Sequence, residues 1–176
     1  MTDTAVRGRT RRAILDAAVT VLARQRGATL ADIAVAAEVG RTTLHRYFPD
    51  RETLVAAVVE DSWRAVEQAV RDAAVEEGPA ADAMRRLISA LVATGERMLF
   101  LFGDPRPAPS PDPILDLVRR GQADGAFDRA VSAEWIRNVV WSLVYAGCEA
   151  ARDGLLPRQG IAETVLRTLQ NGISAR

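Results

Sequence analysis

The stretch TLADIAVAAEVGRTTLHRYFPDRETL, residues 29–54, decides the reading of this chain. Two short helical patterns flank the tight connection Glu38-Val39-Gly40-Arg41. The first sets Leu30, Ile33, Ala34 and Ala37 on one face. Thr29 reads as its N-cap, with Asp32 three residues on to favour the positive helix end. The second, Thr42 to Phe48, has only Leu44 and Phe48 as large apolar anchors beside Arg41, Thr42, Thr43, His45, Arg46 and Tyr47. Pro49 stops it, and Asp50 caps the helix that follows. A helix that commits two side chains to a core presents the rest of its surface outward. Duplex DNA suits Arg, Thr, His and Tyr together: Arg reaches guanine edges or phosphate, and Thr reaches phosphate or a thymine methyl.

Upstream, Ile14, Ala17, Ala18, Val21 and Leu22 fall at helical spacing on one face. That helix is expected to end near Gln25-Arg26-Gly27, with Gly27 as a left-handed C-cap. Residues 9–50 thus hold three helices, the last two joined by a turn of three to four residues. In such a pair the first helix braces against the backbone while the second enters the major groove. Arg41, Thr42 and Thr43 lie at the N-terminus of that second helix, where backbone N–H groups also favour phosphate. Thr29 and Arg51, at the starts of the neighbouring helices, would flank the groove. Charge agrees: residues 1–51 hold nine Arg against five acids, while the remainder carries fourteen Arg against eighteen, so a net charge of zero hides a basic N-terminal module.

The segment resembles the TetR family of bacterial transcriptional regulators. Thr29, Ile33, Ala34, Ala37, Val39, Thr43, Leu44, Tyr47, Phe48 and Leu54 match that family's spaced pattern in register, with Arg51 where Lys is usual. Four positions depart from it. Glu38 stands where a helix-ending Gly is common, Gly40 where Ser caps, Thr42 for Gly and His45 for Tyr. The resemblance implies that Thr29, Arg41, Thr42, Thr43, His45, Arg46, Tyr47 and Arg51 face DNA. It also implies a dimer bound to a palindromic operator and release by a small inducer; the recognition helices are then expected about 34–36 Å apart, or somewhat wider if two dimers share a site.

The rest of the chain is helical in pattern. A long helix is predicted from about Arg51 to Glu76, broken by Gly78-Pro79. A further helix runs from Ala80 to about Phe102, followed by five prolines within residues 103–113, an extended connection or a gate. Ile114 to Ala123 forms a short helix closed by Asp124-Gly125. Ser132 caps a helix to Arg152, and Pro157 to Gly172 supports the last. The fold class is all-α: a three-helix helix-turn-helix DNA-binding domain (1–50) joined by a long helix to a helical regulatory and dimerisation domain (51–176). The helix from Ser132 is apolar around more of its circumference than one core face needs. With the last helix it could build the homodimer interface that the resemblance implies. Trp63, Met98, Phe100, Phe102, Phe127, Trp141 and Tyr145 are candidates to line an inducer cavity, suited to apolar or flat aromatic ligands.

Other functions find little support. One His, no Gly-rich phosphate loop and no carboxylate–histidine spacing argue against an enzyme, and no cofactor or metal is implied. The lone Cys148 reads as a small core residue. No apolar run is long enough for a membrane span, and a cytoplasmic location is expected. The alternative is a helical protein-interaction module that does not bind DNA, against which the basic N-terminal half argues.

Overall fold

The computed structural model describes residues 2–102 and 111–173, so most of the proline-rich stretch read as a connection or a gate lies outside the described residues. The helices are α1 (Thr2–Arg24), α2 (Leu30–Ala36), α3 (Arg41–Tyr47), α4 (Arg51–Asp72), α5 (Ala80–Ala93), α6 (Glu96–Leu101), α7 (Pro113–Ala123), α8 (Ala133–Arg152) and α9 (Ile161–Ile173), with a single 3-10 turn at Arg158–Gly160. No strand occurs among the described residues. The chain divides into two compact units, Met1–Ala65 and Val66–Arg176, with the division inside α4.

In the first unit α1 buries Ile14, Leu15, Ala18, Val19 and Leu22, a wider face than the sequence suggests, while Ala17 and Val21 are only half-buried. Ile33 and Ala34 of α2, Leu44 of α3, Phe48, and Leu54 and Val58 of α4 supply the rest of this core. Leu30 and Ala37, expected inside, are half-buried. Asp61 of α4 is nearly buried as well. Its carboxylate accepts from the Arg12 guanidinium of α1 at 3.1 Å, with Arg64 at 3.9 Å. That pair ties two helices of the unit across 49 residues of sequence.

In the second unit α8 packs against α6, α7 and α9, and α5 against α7, α8 and α9. Leu87, Ile88 and Leu91 (α5), Leu117 and Val118 (α7), and Ile136, Val140 and Val144 (α8) form its centre. Gly147 lets α8 and α9 approach closely: a Cβ there would lie 2.8 Å from methyl carbons of both Ile161 and Val165. Side-chain caps start helices in both units; Ser132 and Asp50 are marked by the sequence, and Asp112 is a third that the sequence reading does not name. Ser132 Oγ accepts from the Trp135 N–H, Asp112 from the Ile114 and Leu115 N–H groups, and Asp50 from the Thr53 N–H at 2.7 Å. That last bond holds the Asp50 carboxyl below its ordinary pKa.

Three helix ends differ from the sequence reading. α4 stops at Asp72 rather than Glu76, and Ala74 turns left-handed at φ 44°. Two arginines from elsewhere in the chain explain this early end. Arg86 of α5 donates to the carbonyls of Ala73, Ala74 and Glu77 at 2.7–2.8 Å, and Arg120 of α7 to those of Val75 and Gly78. These carbonyls have left the helical ladder, and charged donors satisfy them. The helix expected from Ala80 to Phe102 breaks into α5 and α6 at Thr94-Gly95, where Gly95 takes φ 46° and the Thr94 hydroxyl donates to Leu91 O at 2.6 Å. Gly27 is not left-handed. The end of α1 is closed instead by the Ala28 N–H on Gln25 O and by the Arg51 guanidinium on the carbonyls of Ala28 (3.1 Å) and Arg26.

Candidate nucleic-acid interface

The α2–turn–α3 unit is built from local bonds. Thr29 and Asp32 form a full capping box: the Asp32 N–H donates to Thr29 Oγ1 at 3.3 Å, and the Thr29 N–H to Asp32 Oδ2 at 2.8 Å. The backbone bond from Thr29 lowers the Asp32 pKa. At the other end of α2 the Val39 N–H donates to Ala34 O (3.0 Å) and the Glu38 N–H to Val35 O (3.1 Å), the paired bonds of a Schellman close. Such a close needs a left-handed residue at position 38, and Glu38 takes it at φ 54°. The turn therefore keeps the shape expected of a helix-turn-helix, and the side chain bears the strain.

Replacing Glu38 by Gly is accordingly expected to stabilise the chain by about 1 kcal/mol, raising Tm by about 2–4 °C for a protein of this size. Thermal melting followed by circular dichroism checks it. An unchanged or lower Tm would show that the Glu38 side chain makes compensating contacts.

Gly40 is the N-cap of α3, in extended conformation and without a side-chain cap bond. From there α3 sorts its residues by depth. Leu44 is fully buried and Phe48 is 2% exposed, while Arg41, Thr42, His45 and Arg46 are exposed and Thr43 and Tyr47 half-buried. The exposed side chains are not all loose. His45 Nδ1 lies 3.1 Å from the Pro49 carbonyl, which can only accept, so Nδ1 carries the proton and Nε2 is left to meet a partner. The Arg46 guanidinium sits 5.5 Å from the centre of the Tyr47 ring, within cation–π range. Arg11 of α1 stands 5.6 Å above the Phe48 ring, a contact for which the sequence holds no local signal. Arg51 differs from expectation in its surroundings. Its guanidinium donates to the turn that precedes Thr29, which fixes the start of α4 beside the start of α2.

The residues read as cavity candidates fall in both compact units. Trp63 belongs to the first unit; Met98, Phe100, Phe102, Phe127, Trp141 and Tyr145 belong to the second. Met98, Phe100 and Phe127 are buried, Trp141 and Tyr145 half-buried, and Phe102 is 52% exposed. Phe102 and Tyr145 do meet, with ring centroids 3.6 Å apart and planes 18° from parallel. The Tyr145 hydroxyl donates to Glu149 at 2.9 Å. Cys148 is buried, which pushes its thiol pKa up. Among the described residues no group of three or more His, Cys, Asp and Glu could hold a metal ion, and no helix is long and apolar enough to cross a membrane.

A braced helix pair whose second helix leaves Arg41, Thr42, His45 and Arg46 exposed has the form of a helix-turn-helix. Residues 14–58 match the family described as bacterial regulatory proteins, tetR family. The HTH-type transcriptional repressor LfrR of Mycolicibacterium smegmatis is 35% identical over 181 residues, covering 97% of this chain and 94% of the relative. The HTH-type transcriptional regulator NfxB of Pseudomonas aeruginosa is 28% identical, covering 89% and 90%. The crystal structure of LfrR in complex with proflavine superposes with a TM-score of 0.77 at 36% identity, covering 97% of this chain and 99% of that one. The chain belongs to the TetR family of bacterial transcriptional regulators, which are DNA-binding proteins and not enzymes.

Proposed function

We propose that this chain is a repressor that binds a palindromic operator as a homodimer and leaves it when a flat aromatic cation binds the helical unit Val66–Arg176. The observation that carries the DNA half is the depth sorting of α3: Leu44 and Phe48 inside, Arg41, Thr42, His45 and Arg46 outside. Arg41, Thr42 and Arg46 are assigned to base edges, with Thr43 and His45 beside them. Thr29 and Tyr47 are assigned to phosphates. Arg51 joins them through whatever donors its two carbonyl bonds leave over.

Dimerisation through α8 and α9 is supported by a second apolar stripe on α8. Trp135, Val139, Leu143, Ala146 and Ala150 follow helical spacing on a face apart from the buried Ile136, Val140 and Val144, and Trp135 is 61% exposed. The half-buried Leu166 of α9 would extend the stripe. For the inducer, support comes from the relative that binds proflavine, a flat cation, and from the stacked Phe102–Tyr145 pair beside the Glu149 carboxylate. Aromatic faces with a nearby acid suit such a ligand. α4 belongs to both units, so it is the continuous element through which ligand binding could shift the spacing of the reading heads.

One experiment tests the scheme. Duplexes are selected from fragments of the source genome, and binding is measured for wild type and for Arg41→Ala and Arg46→Ala, with and without proflavine. Each substitution is expected to weaken binding by about 1–3 kcal/mol, roughly 5- to 150-fold, without lowering Tm. Proflavine is expected to release the wild type. If no duplex is retained, the protein-interaction alternative takes over. If proflavine leaves binding unchanged, the inducer class is wrong while the DNA reading stands.

A further inference from the structure

We infer that the N-terminal half of α1 is a second phosphate-binding surface, with Arg7 and Arg11 gripping the DNA backbone beside the C-terminal end of α3. The inference rests on the DNA-binding reading and extends it to residues outside the helix-turn-helix. Residues 6–12, VRGRTRR, hold four arginines and no acid, and helix α1 already includes them. The helix sorts these arginines by direction. Arg7 and Arg11 are four apart and share a face, about 6 Å from each other along the axis. Arg9 projects to the opposite side, and Arg12 turns to Asp16 at 3.2 Å and Asp61 at 3.1 Å.

The shared face is located by one contact. The Arg11 guanidinium lies over the Phe48 ring, at the residue that closes α3. Arg11 is therefore held beside the reading helix, and Arg7 stands one turn further along α1. Both are exposed. Stacking on an aromatic ring restrains a guanidinium without using its N–H donors, so Arg11 keeps its five donors for phosphate oxygens. Arg51, the arginine the family pattern places at the start of α4, spends donors on the Ala28 and Arg26 carbonyls. Part of the backbone grip is in this way transferred from α4 to α1.

The test compares wild type with Arg7→Gln/Arg11→Gln, Arg9→Gln and Arg7→Lys/Arg11→Lys on one duplex selected from a random 40-base-pair pool. Binding is measured across a salt series, with ethylation interference to map the phosphates touched. Each phosphate contact contributes about 0.9 to the slope of log affinity against log salt. The double Gln variant should lose about 1.8 in slope per protomer, together with interference at phosphates bordering the groove read by α3. The double Lys variant should retain most of the slope, and Arg9→Gln should leave it unchanged. Unaltered circular dichroism and Tm in all three variants would confirm that the fold is intact. An unchanged slope in the double Gln variant overturns the inference while leaving α3 as the DNA reader. Equal slope loss per charge removed in Arg9→Gln also overturns it, because a diffuse field and not a contact face would then be responsible. Wild-type protein that retains no duplex overturns the DNA reading and this surface with it.

Discussion

Phe48→Ala is expected to cost about 3–5 kcal/mol, the usual range for truncating a buried aromatic, and to abolish operator binding. Phe48 is 2% exposed and closes α3, with its N–H donating to Leu44 O at 2.9 Å. α3 has seven residues, too few to be stable by its own hydrogen bonds. It is held by two apolar anchors, Leu44 and Phe48, and removing either leaves one. The ring is also the platform under Arg11, so its loss frees a guanidinium from the side of the reading helix. A drop in Tm of about 6–20 °C follows from the size of the chain. Calorimetry or circular dichroism, run alongside duplex binding, reads both effects. A Tm within 2 °C of wild type, or binding retained within about threefold, would mean that the neighbouring core closes over the gap and that α3 is braced by something other than Phe48. The more conservative Phe48→Leu should cost less than half as much and keep measurable binding, because it preserves the anchor while losing the platform.

The features that could be read in advance are those written within one turn of sequence. Thr29 with Asp32, Asp50 before Thr53, Ser132 before Trp135 and Asp124-Gly125 after α7 are local devices, and each closes the helix end it marks. The depth sorting of α3 was equally local, because two large apolar residues in an otherwise polar heptad leave one way to dock. The features that were not legible depend on partners far along the chain. Nothing between Asp72 and Pro79 reveals that Arg86 and Arg120 will collect the carbonyls there, so α4 reads as four residues longer than it is. Gly95 sits in a run whose apolar spacing continues smoothly, so nothing in the local pattern marks the break at its positive φ of 46°. Gly27 looked like the helix end, yet Arg51, 24 positions on, does part of that work. Glu38 shows the reverse: a residue with a Cβ is disfavoured in the left-handed region, yet the bonds that close α2 keep Glu38 there at φ 54°.

The candidate site was legible in the same uneven way. The outward residues of α3 could be named from the sequence, but not the contacts that restrain them. Tyr47 under Arg46 is an adjacent pair that could have been noticed. Phe48 under Arg11 bridges 37 positions and could not. For the cavity candidates the difficulty is chemical. An aromatic at helical spacing has the same pattern whether it lines a ligand or fills a core, and only depth and neighbours separate the cases.

Phe127 illustrates that separation and carries the second large expected effect. Gly121→Ala is expected to destabilise the chain by about 3 kcal/mol, near the top of the usual range for overpacking, and to lower Tm by about 6–12 °C. Gly121 is a buried helical residue of α7. A Cβ added there would lie 2.2 and 2.4 Å from two ring carbons of Phe127, far inside van der Waals contact. The ring cannot simply withdraw. The Phe127 N–H donates to the carbonyl of Gly121 itself at 2.9 Å, so the two backbones are fixed to one another. The flanking loop is tied as well: Gln122 Nε2 donates to Asp128 O and Val131 O at 2.9 and 2.8 Å, and Arg129 to Ala123 O at 2.5 Å. Either the ring leaves its pocket, losing its burial, or α7 shifts and disturbs its contacts with α5 and α8. A partner substitution separates a steric clash from a loss of helix-packing freedom. Adding Phe127→Leu to Gly121→Ala should recover 1 kcal/mol or more, although Phe127→Leu alone should destabilise, giving a coupling of opposite sign to either single effect. Chemical denaturation of the four proteins measures that cycle. Additive losses, or a Gly121→Ala variant within 1 kcal/mol of wild type, would show that the ring has room to move and that Phe127 is free to serve a cavity rather than a core.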